Sequence, residues 1–311
     1  MQDTTQKAKS LLRRYKQELN LYTLAVVVVC LTPCYFALLV WRTYLLVPFL
    51  LILYRLLRRI IISRLYNRYV MGPLMVNMDA GLYRAMLEVA KCAARPGVDH
   101  LLAAYYNSDY QTVVDLAANK MADARCRRFT PFYLLILSDT YFDLGDVEAL
   151  RRTIEQYDAY LATEKNGEGL RRRFGNMDAY RAFVEGRYED GRAVCDDKIT
   201  KETRPIAIVG SHWERALICS HMGDTEGARS SFRYIAENAP NLHYGRVAKE
   251  RLTAMDAGED ALPAPVLLTP NATFTPVSYA VSRARRAVSI VTLVLIAILI
   301  VECLFLWFIG A

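Results

Sequence analysis

Apolar residues are distributed along this chain in two ways. From Tyr22 to Trp41 twenty residues carry no charge, and after Arg42 the apolar run resumes from Thr43 to Tyr54. A further run, Ala287 to Ile309, is interrupted only by Glu302. Between about 97 and 240, in contrast, apolar positions recur at helical spacing in segments separated by turn residues. These segments come in pairs, and a short motif stands between the members of each pair. The four motifs are Ser108-Asp109-Tyr110, Gly145-Asp146-Val147, Gly186-Arg187-Tyr188 and Gly223-Asp224-Thr225, whose first residues lie 37, 41 and 37 positions apart. Glycine suits the left-handed residue that ends one helix, and Asp or Glu suits the start of the next. No segment alternates polarity as a strand would. The pattern predicts stacked helix pairs, because one pair cannot bury its apolar face until a neighbour covers it. The pairs fall at about 97–122, 130–162, 171–202 and 205–238, with a lead-in helix over Met78–Ala94 and a final, capping helix over Asn241–Met255.

The long apolar runs predict membrane segments. As a single helix, 22–54 would be roughly 50 Å long against a hydrocarbon core of ~30 Å, so a hairpin turning at Trp41-Arg42-Thr43 is expected, with a shallow re-entrant hairpin as the alternative. Arg55, Arg58 and Arg59 would snorkel from the second span. Residues 1–21 read either as an amphipathic helix on an anionic surface or as a frayed leader. The resulting division is 1–21, a hairpin over 22–63, a repeat domain over 74–256, a proline-rich linker and basic segment over 257–286, and a span over 287–309. Basic residues cluster before 22, after 54 and at Arg283, Arg285 and Arg286, which predicts an integral membrane protein of a bacterial plasma membrane with the repeat domain cytoplasmic. Glu302 is the one acid inside a span. It is expected to meet Arg42 at the hairpin turn, or to stand protonated, or to pair with another chain.

The repeated segment resembles the tetratricopeptide repeat family. Leu137, Tyr141 and Gly145 in the second copy, and Ala216, Gly223, Ala228, Phe232 and Pro240 in the fourth, fall at family-like spacings. No copy is complete, and the steps exceed the family period of about 34 residues. The resemblance implies an all-α fold: a TPR-like helical-repeat solenoid, here with transmembrane helices as an N-terminal hairpin and one C-terminal span. An irregular helical bundle is the alternative. The resemblance further implies a concave groove, lined by first helices, that binds protein segments. With Ser108, Gly145, Gly186 and Gly223 as one repeat position, the groove would present Tyr105, Asp139, Phe142, Asn176, Tyr180 and Trp213, with Val98, Leu102, Phe132, Leu135, Phe183 and Leu217 beside them. Several of these rings would serve equally as core between repeats. Family members that grip a C-terminal carboxylate use a set of Lys and Asn there; only Asn176 matches, so that ligand is not expected.

Charge narrows the partners. The chain carries a formal +7. Between Leu74 and Asp256, however, 25 Lys and Arg face 27 Asp and Glu. The basic excess lies outside the repeats, and no nucleic acid partner is expected. The seven cysteines contain no Cys-x-x-Cys pair and read as free thiols. The histidines at 100, 212, 221 and 243 show no metal-ligand spacing, and neither a phosphate loop nor a nucleophile motif occurs. No catalytic, cofactor or metal residues are therefore assigned, and no small-molecule substrate or enzymatic activity is expected. The expected function is that of a membrane-anchored TPR-like adaptor or scaffold that binds protein partners through a cytoplasmic groove. Its alternatives are an accessory subunit of a membrane transport or envelope-assembly complex and an unrecognised membrane enzyme.

Overall fold

A computed structural model describes residues 2–39, 46–90, 97–174, 177–258 and 265–271. The described residues are helical with irregular connections, and none forms a strand, so the protein is all-α. The chain divides into two units, 1–72 with 88–92 and 278–311, and 73–87 with 93–277.

In the first unit, α1 (Gln2–Leu39) packs along α2 (Leu46–Tyr66), which widens into a π turn at Asn67–Met71. The polar leader and the apolar run beginning at Tyr22 are one unbroken helix. Ala8, Leu12, Tyr15 and Val26 are buried on it. The Tyr15 and Tyr69 rings meet edge-on at 6.3 Å, and the Tyr69 hydroxyl donates to Glu18 Oε1 at 2.5 Å. Arg68 reaches the same carboxylate at 3.6 Å. Leu21, Leu24, Val28 and Val29 of α1 and Ile52, Leu56 and Ile60 of α2 are exposed.

The location expected from hydropathy is corrected here. Among the described residues, no helix is long and apolar enough to cross a membrane. The apolar stretch of α1 shares its helix with Lys7, Lys9, Arg13, Arg14 and Lys16, and α2 carries Arg55, Arg58, Arg59 and Arg64 within 21 residues. The assignment as an integral protein of a bacterial plasma membrane, with a cytoplasmic repeat domain, is therefore withdrawn. The expected span over 287–309 and the Arg42–Glu302 pair lie outside the described residues.

The second unit contains the helix pairs. After α3 (Gly72–Met75) and the lead-in α4 (Ala80–Ala90) come α5 (Val98–Tyr105) with α6 (Tyr110–Ala122), and α7 (Thr130–Asp143) with α8 (Val147–Thr163). The short α9 (Gly167–Phe174) is followed by α10 (Asp178–Val184) with α11 (Tyr188–Lys201), then α12 (Pro205–Met222) with α13 (Thr225–Asn238), and finally α14 (His243–Asp256). Each member packs on the next, and α8 reaches past α9 to α10. The third pair thus starts at Asp178 and not near 171, the preceding turns of helix forming the separate α9.

The four turn motifs adopt one geometry. Ser108, Gly145, Gly186 and Gly223 have φ of 56°, 69°, 74° and 74°. The next residue's N–H then bonds back five residues: Asp109 to Ala104 at 3.0 Å, Asp146 to Tyr141 at 2.9 Å, Arg187 to Ala182 at 2.8 Å and Asp224 to Cys219 at 2.9 Å. This pattern satisfies carbonyls left over at the end of the first helix. Asp146 and Asp224 cap the second helix as well, accepting from Ala149 N and Gly227 N at 2.9 Å. Burial differs between members of a pair. On α7, Tyr133, Leu134, Ile136, Leu137, Thr140, Tyr141 and Phe142 are all buried, whereas α13 buries only Ala228, Ser231, Phe232 and Ile235 on one face.

Two features depart from an open stack with a free linker. First, α14 reaches back to the first pair: the Tyr244 and Tyr105 hydroxyls are hydrogen-bonded, and His243 Nε2 meets the Tyr110 hydroxyl at 2.9 Å. Second, residues 265–271 lie against the repeats. Val266 N donates to Leu144 O at 3.0 Å, Gln111 Nε2 to Thr269 O at 2.9 Å and Asn271 N to Asp115 Oδ1 at 2.6 Å.

Candidate functional site: an aromatic and acidic cavity

The inner faces of α5, α7, α10 and α12, with α11 and α14, line a cavity of about 460 Å³ that opens to solvent. Tyr105, Leu135, Asp139, Tyr180 and Trp213 line it, joined by Tyr106, Asp143, Lys198, Glu214 and Tyr244. Repetition explains part of this convergence. Asp139 and Tyr180 each stand six residues before their turn glycine, and Leu135 and Trp213 each stand ten before theirs. Equivalent positions of the second and third copies, and of the second and fourth, therefore face one space. Gly210 also borders the cavity, and a Cβ added there would meet nothing within 4 Å.

Phe142 lies behind this wall, its ring 5.0 Å from Tyr180 and 4.9 Å from Phe183. It supports the lining ring and does not itself face the cavity. Asn176 lies outside the described residues. Sequence reasoning overlooked Asp143, Glu214, Lys198, Tyr244 and His243. Asp143 was detectable, because it follows Asp139 by four positions and so shares its helix face.

Two carboxyls dominate the floor. The Asp143 side chain is only 2% exposed. It accepts from the Trp213 indole N–H at 2.6 Å and from the Tyr110 hydroxyl at 3.1 Å, with His243 Nε2 at 3.9 Å. Asp139 accepts from the Tyr180 hydroxyl at 2.7 Å, and the same hydroxyl lies 3.2 Å from Glu214 Oε1. Asp139 is half-buried and borders the cavity, with protein packed around its carboxyl. Burial pushes its carboxyl up to about 8; the Tyr180 hydrogen bond opposes this, and the nearby Glu214 and Asp143 charges add to it. At neutral pH this acid is thus mostly protonated.

The cationic wall behaves differently. Lys198 Nζ lies 2.9 Å from Glu214 Oε2, beside the Cys195 thiol. Burial opposes the ammonium charge, but Glu214 outweighs it by charge and hydrogen bond and lifts Lys198 to about 12. At the rim Arg204 holds Glu202 at 2.7 Å and Lys201 holds Asp197 at 2.7 Å. The Arg204 side-chain and backbone hydrogen bonds draw the Glu202 carboxyl down to about 2. Burial raises the phenols of Tyr105, Tyr180 and Tyr244 well above their ordinary value, so all three remain neutral donors. The Trp213 and Tyr244 rings stack at 4.8 Å.

Among the described residues no group of three or more His, Cys, Asp or Glu is arranged to hold a metal ion. Chemically the cavity offers flat aromatic surface, neutral donors and two carboxyls. No protein-family model, no curated protein and no solved structure matches the chain.

Proposed function

We propose that the repeat unit is a TPR-like binding module, an adaptor that receives a segment of a partner protein in the cavity between its first helices. The observation that carries this reading is the convergence of Tyr105, Leu135, Asp139, Tyr180 and Trp213, drawn from four successive pairs, on one cavity. Core packing alone would close such a space, since interiors are filled to crystal-like density. Gly210 borders the same space without adding a side chain to it, and a Cβ there would meet nothing within 4 Å. Aromatic side chains supply large contact area with few rotors, which favours recognition. The docked segment 265–271 supports the same reading, because the repeat surface there accepts extended chain through backbone hydrogen bonds.

The test is site-specific photocrosslinking of the full chain in its native cells. A photoreactive residue replacing Leu135, which borders the cavity, is expected to capture a discrete protein partner; one replacing Glu155, exposed on α8, is not. A G210F substitution should abolish capture by filling the space without removing any wall. Equal capture from both positions, or capture undiminished by G210F, would overturn the assignment.

A further inference from the structure

The charges around the cavity do not balance. Five carboxylate side chains line it, Asp139, Asp143, Asp197, Glu202 and Glu214, against three basic ones, Lys198, Lys201 and Arg204. Each base is already committed: Lys198 to Glu214 at 2.9 Å, Lys201 to Asp197 at 2.7 Å and Arg204 to Glu202 at 2.7 Å. The two remaining acids are the innermost. Asp139 has the Tyr180 hydroxyl, and Asp143 has the Trp213 indole, the Tyr110 hydroxyl and an imidazole at 3.9 Å. Neither has a Lys or Arg partner among the described residues.

We propose that this cavity receives one cationic side chain, arginine or lysine, of the partner segment, seated between Asp139 and Asp143 against the rings of Tyr105 and Trp213. This rests on the adaptor reading and specifies what the adaptor recognises. Aromatic faces attract cations through their quadrupole, most strongly where water is displaced. Carboxylates add charge-assisted hydrogen bonds, with a guanidinium able to span two acceptors. The volume of about 460 Å³ accommodates a long side chain but not a helix about 10 Å across. An anionic segment would face Asp139 and Asp143 with no uncommitted base to offset them. Asp139 is protonated chiefly because it is buried, with the Glu214 and Asp143 charges adding to this and the Lys198 ammonium, itself bound to Glu214, opposing it. An entering cation would supply a counter-charge of its own.

Binding therefore releases a proton from Asp139. The titratable groups around that carboxyl are Asp143 on the same helix, Glu214 on α12, Lys198 on α11, Tyr105 and Tyr106 at α5, Tyr180 on α10 and Tyr244 on α14. The phenols stay neutral, and Lys198 stays charged and bound to Glu214, across the range in which Asp139 changes. Affinity for the cation should consequently rise by up to about tenfold per pH unit below about 8 and level off above it.

The experiment uses the full chain carrying W41F and W307F, which leaves Trp213 as its only indole. Its fluorescence is titrated with capped Ala-Ala-X-Ala-Ala peptides, X being Arg, Lys, Gln or Glu, and with spermidine as a free polyamine. The expected result is saturable binding of the Arg or Lys peptide at least about tenfold tighter than Gln, a difference of about 1.4 kcal/mol, with Glu weakest. D139N should weaken that binding about tenfold and flatten its pH dependence, while circular dichroism shows the helices retained. Equal affinity for Arg and Gln, preference for Glu, or binding unaltered by D139N would each overturn the proposal; spermidine outcompeting every peptide would also overturn it, in favour of a small-molecule cation. A Leu135 crosslink to a partner together with a flat peptide series removes the cation pocket and leaves the adaptor. Peptide selectivity with no crosslinked partner removes the adaptor reading.

Discussion

Replacing Asp139 by asparagine should make the protein more stable at pH 8, by an amount that vanishes in acid. In the folded protein, burial holds this carboxyl at about 8, against 3.8 for the free side chain. The group is raised, so its contribution is fully present below about 4 and is lost as pH rises to about 8. Between those limits the unfolded chain ionises while the folded chain retains the proton. Each unit of difference corresponds to about 1.4 kcal/mol, giving a ceiling of about 5 kcal/mol at pH 8. Water in the cavity screens part of it, leaving ~2–4 kcal/mol at pH 8. Asparagine retains an oxygen to accept from the Tyr180 hydroxyl and never ionises. The difference in unfolding free energy between D139N and the parent should therefore grow from near zero at pH 4 to that value at pH 8. Urea titrations of the W41F/W307F chain at several pH values, followed by Trp213 fluorescence, measure it within the repeat unit. Parallel curves for the two proteins would refute the reasoning. A parent that gains on D139N as pH rises would show instead that Asp139 ionises in place and is stabilised by the nearby Lys198 ammonium.

D143A should cost about 1–3 kcal/mol in the same titration, because it strands the buried Trp213 indole without an acceptor and leaves the Tyr110 hydroxyl only His243 Nε2. G186A and G223A should each destabilise by about 1 kcal/mol through φ alone, since a Cβ at either meets nothing within 4 Å. S108G should act in the opposite sense, stabilising by about 0.5–1 kcal/mol because it relieves a non-glycine residue at φ 56°. Amide hydrogen exchange should find Val266 and Asn271 protected, and D115A should remove protection at Asn271 while sparing Val266.

The helix pairs and their turns were legible in the chain because their causes are local. A left-handed residue closing one helix and a capping residue opening the next leave a mark within four or five positions, and all four marked positions carry positive φ. The convergence of Asp139 with Tyr180, and of Leu135 with Trp213, was legible for a related reason: repetition places equivalent residues on equivalent faces. Tyr105, in contrast, enters the cavity from a position whose counterpart, Phe142, lies behind the wall. What decides their chemistry was not. The Trp213 indole finds Asp143 from 70 residues away, and Tyr244 finds Tyr105 from 139 away. No local pattern encodes such a pairing, so the closing of the groove into a cavity by α14 belongs to the tertiary structure alone. The same holds for the docking of residues 265–271, whose prolines announce extended chain but not the Leu144 carbonyl that receives it. Hydropathy erred over α1 for a complementary reason. It averages what a short window contains, whereas the helix joins an apolar run to a charged leader whose Ala8, Leu12 and Tyr15 are buried. The sequence by itself therefore determined the local units and which faces repeat. Only the tertiary structure decided which of those faces meet, because burial, counter-charges and the protonation of Asp139 depend on neighbours that the chain brings together from far apart.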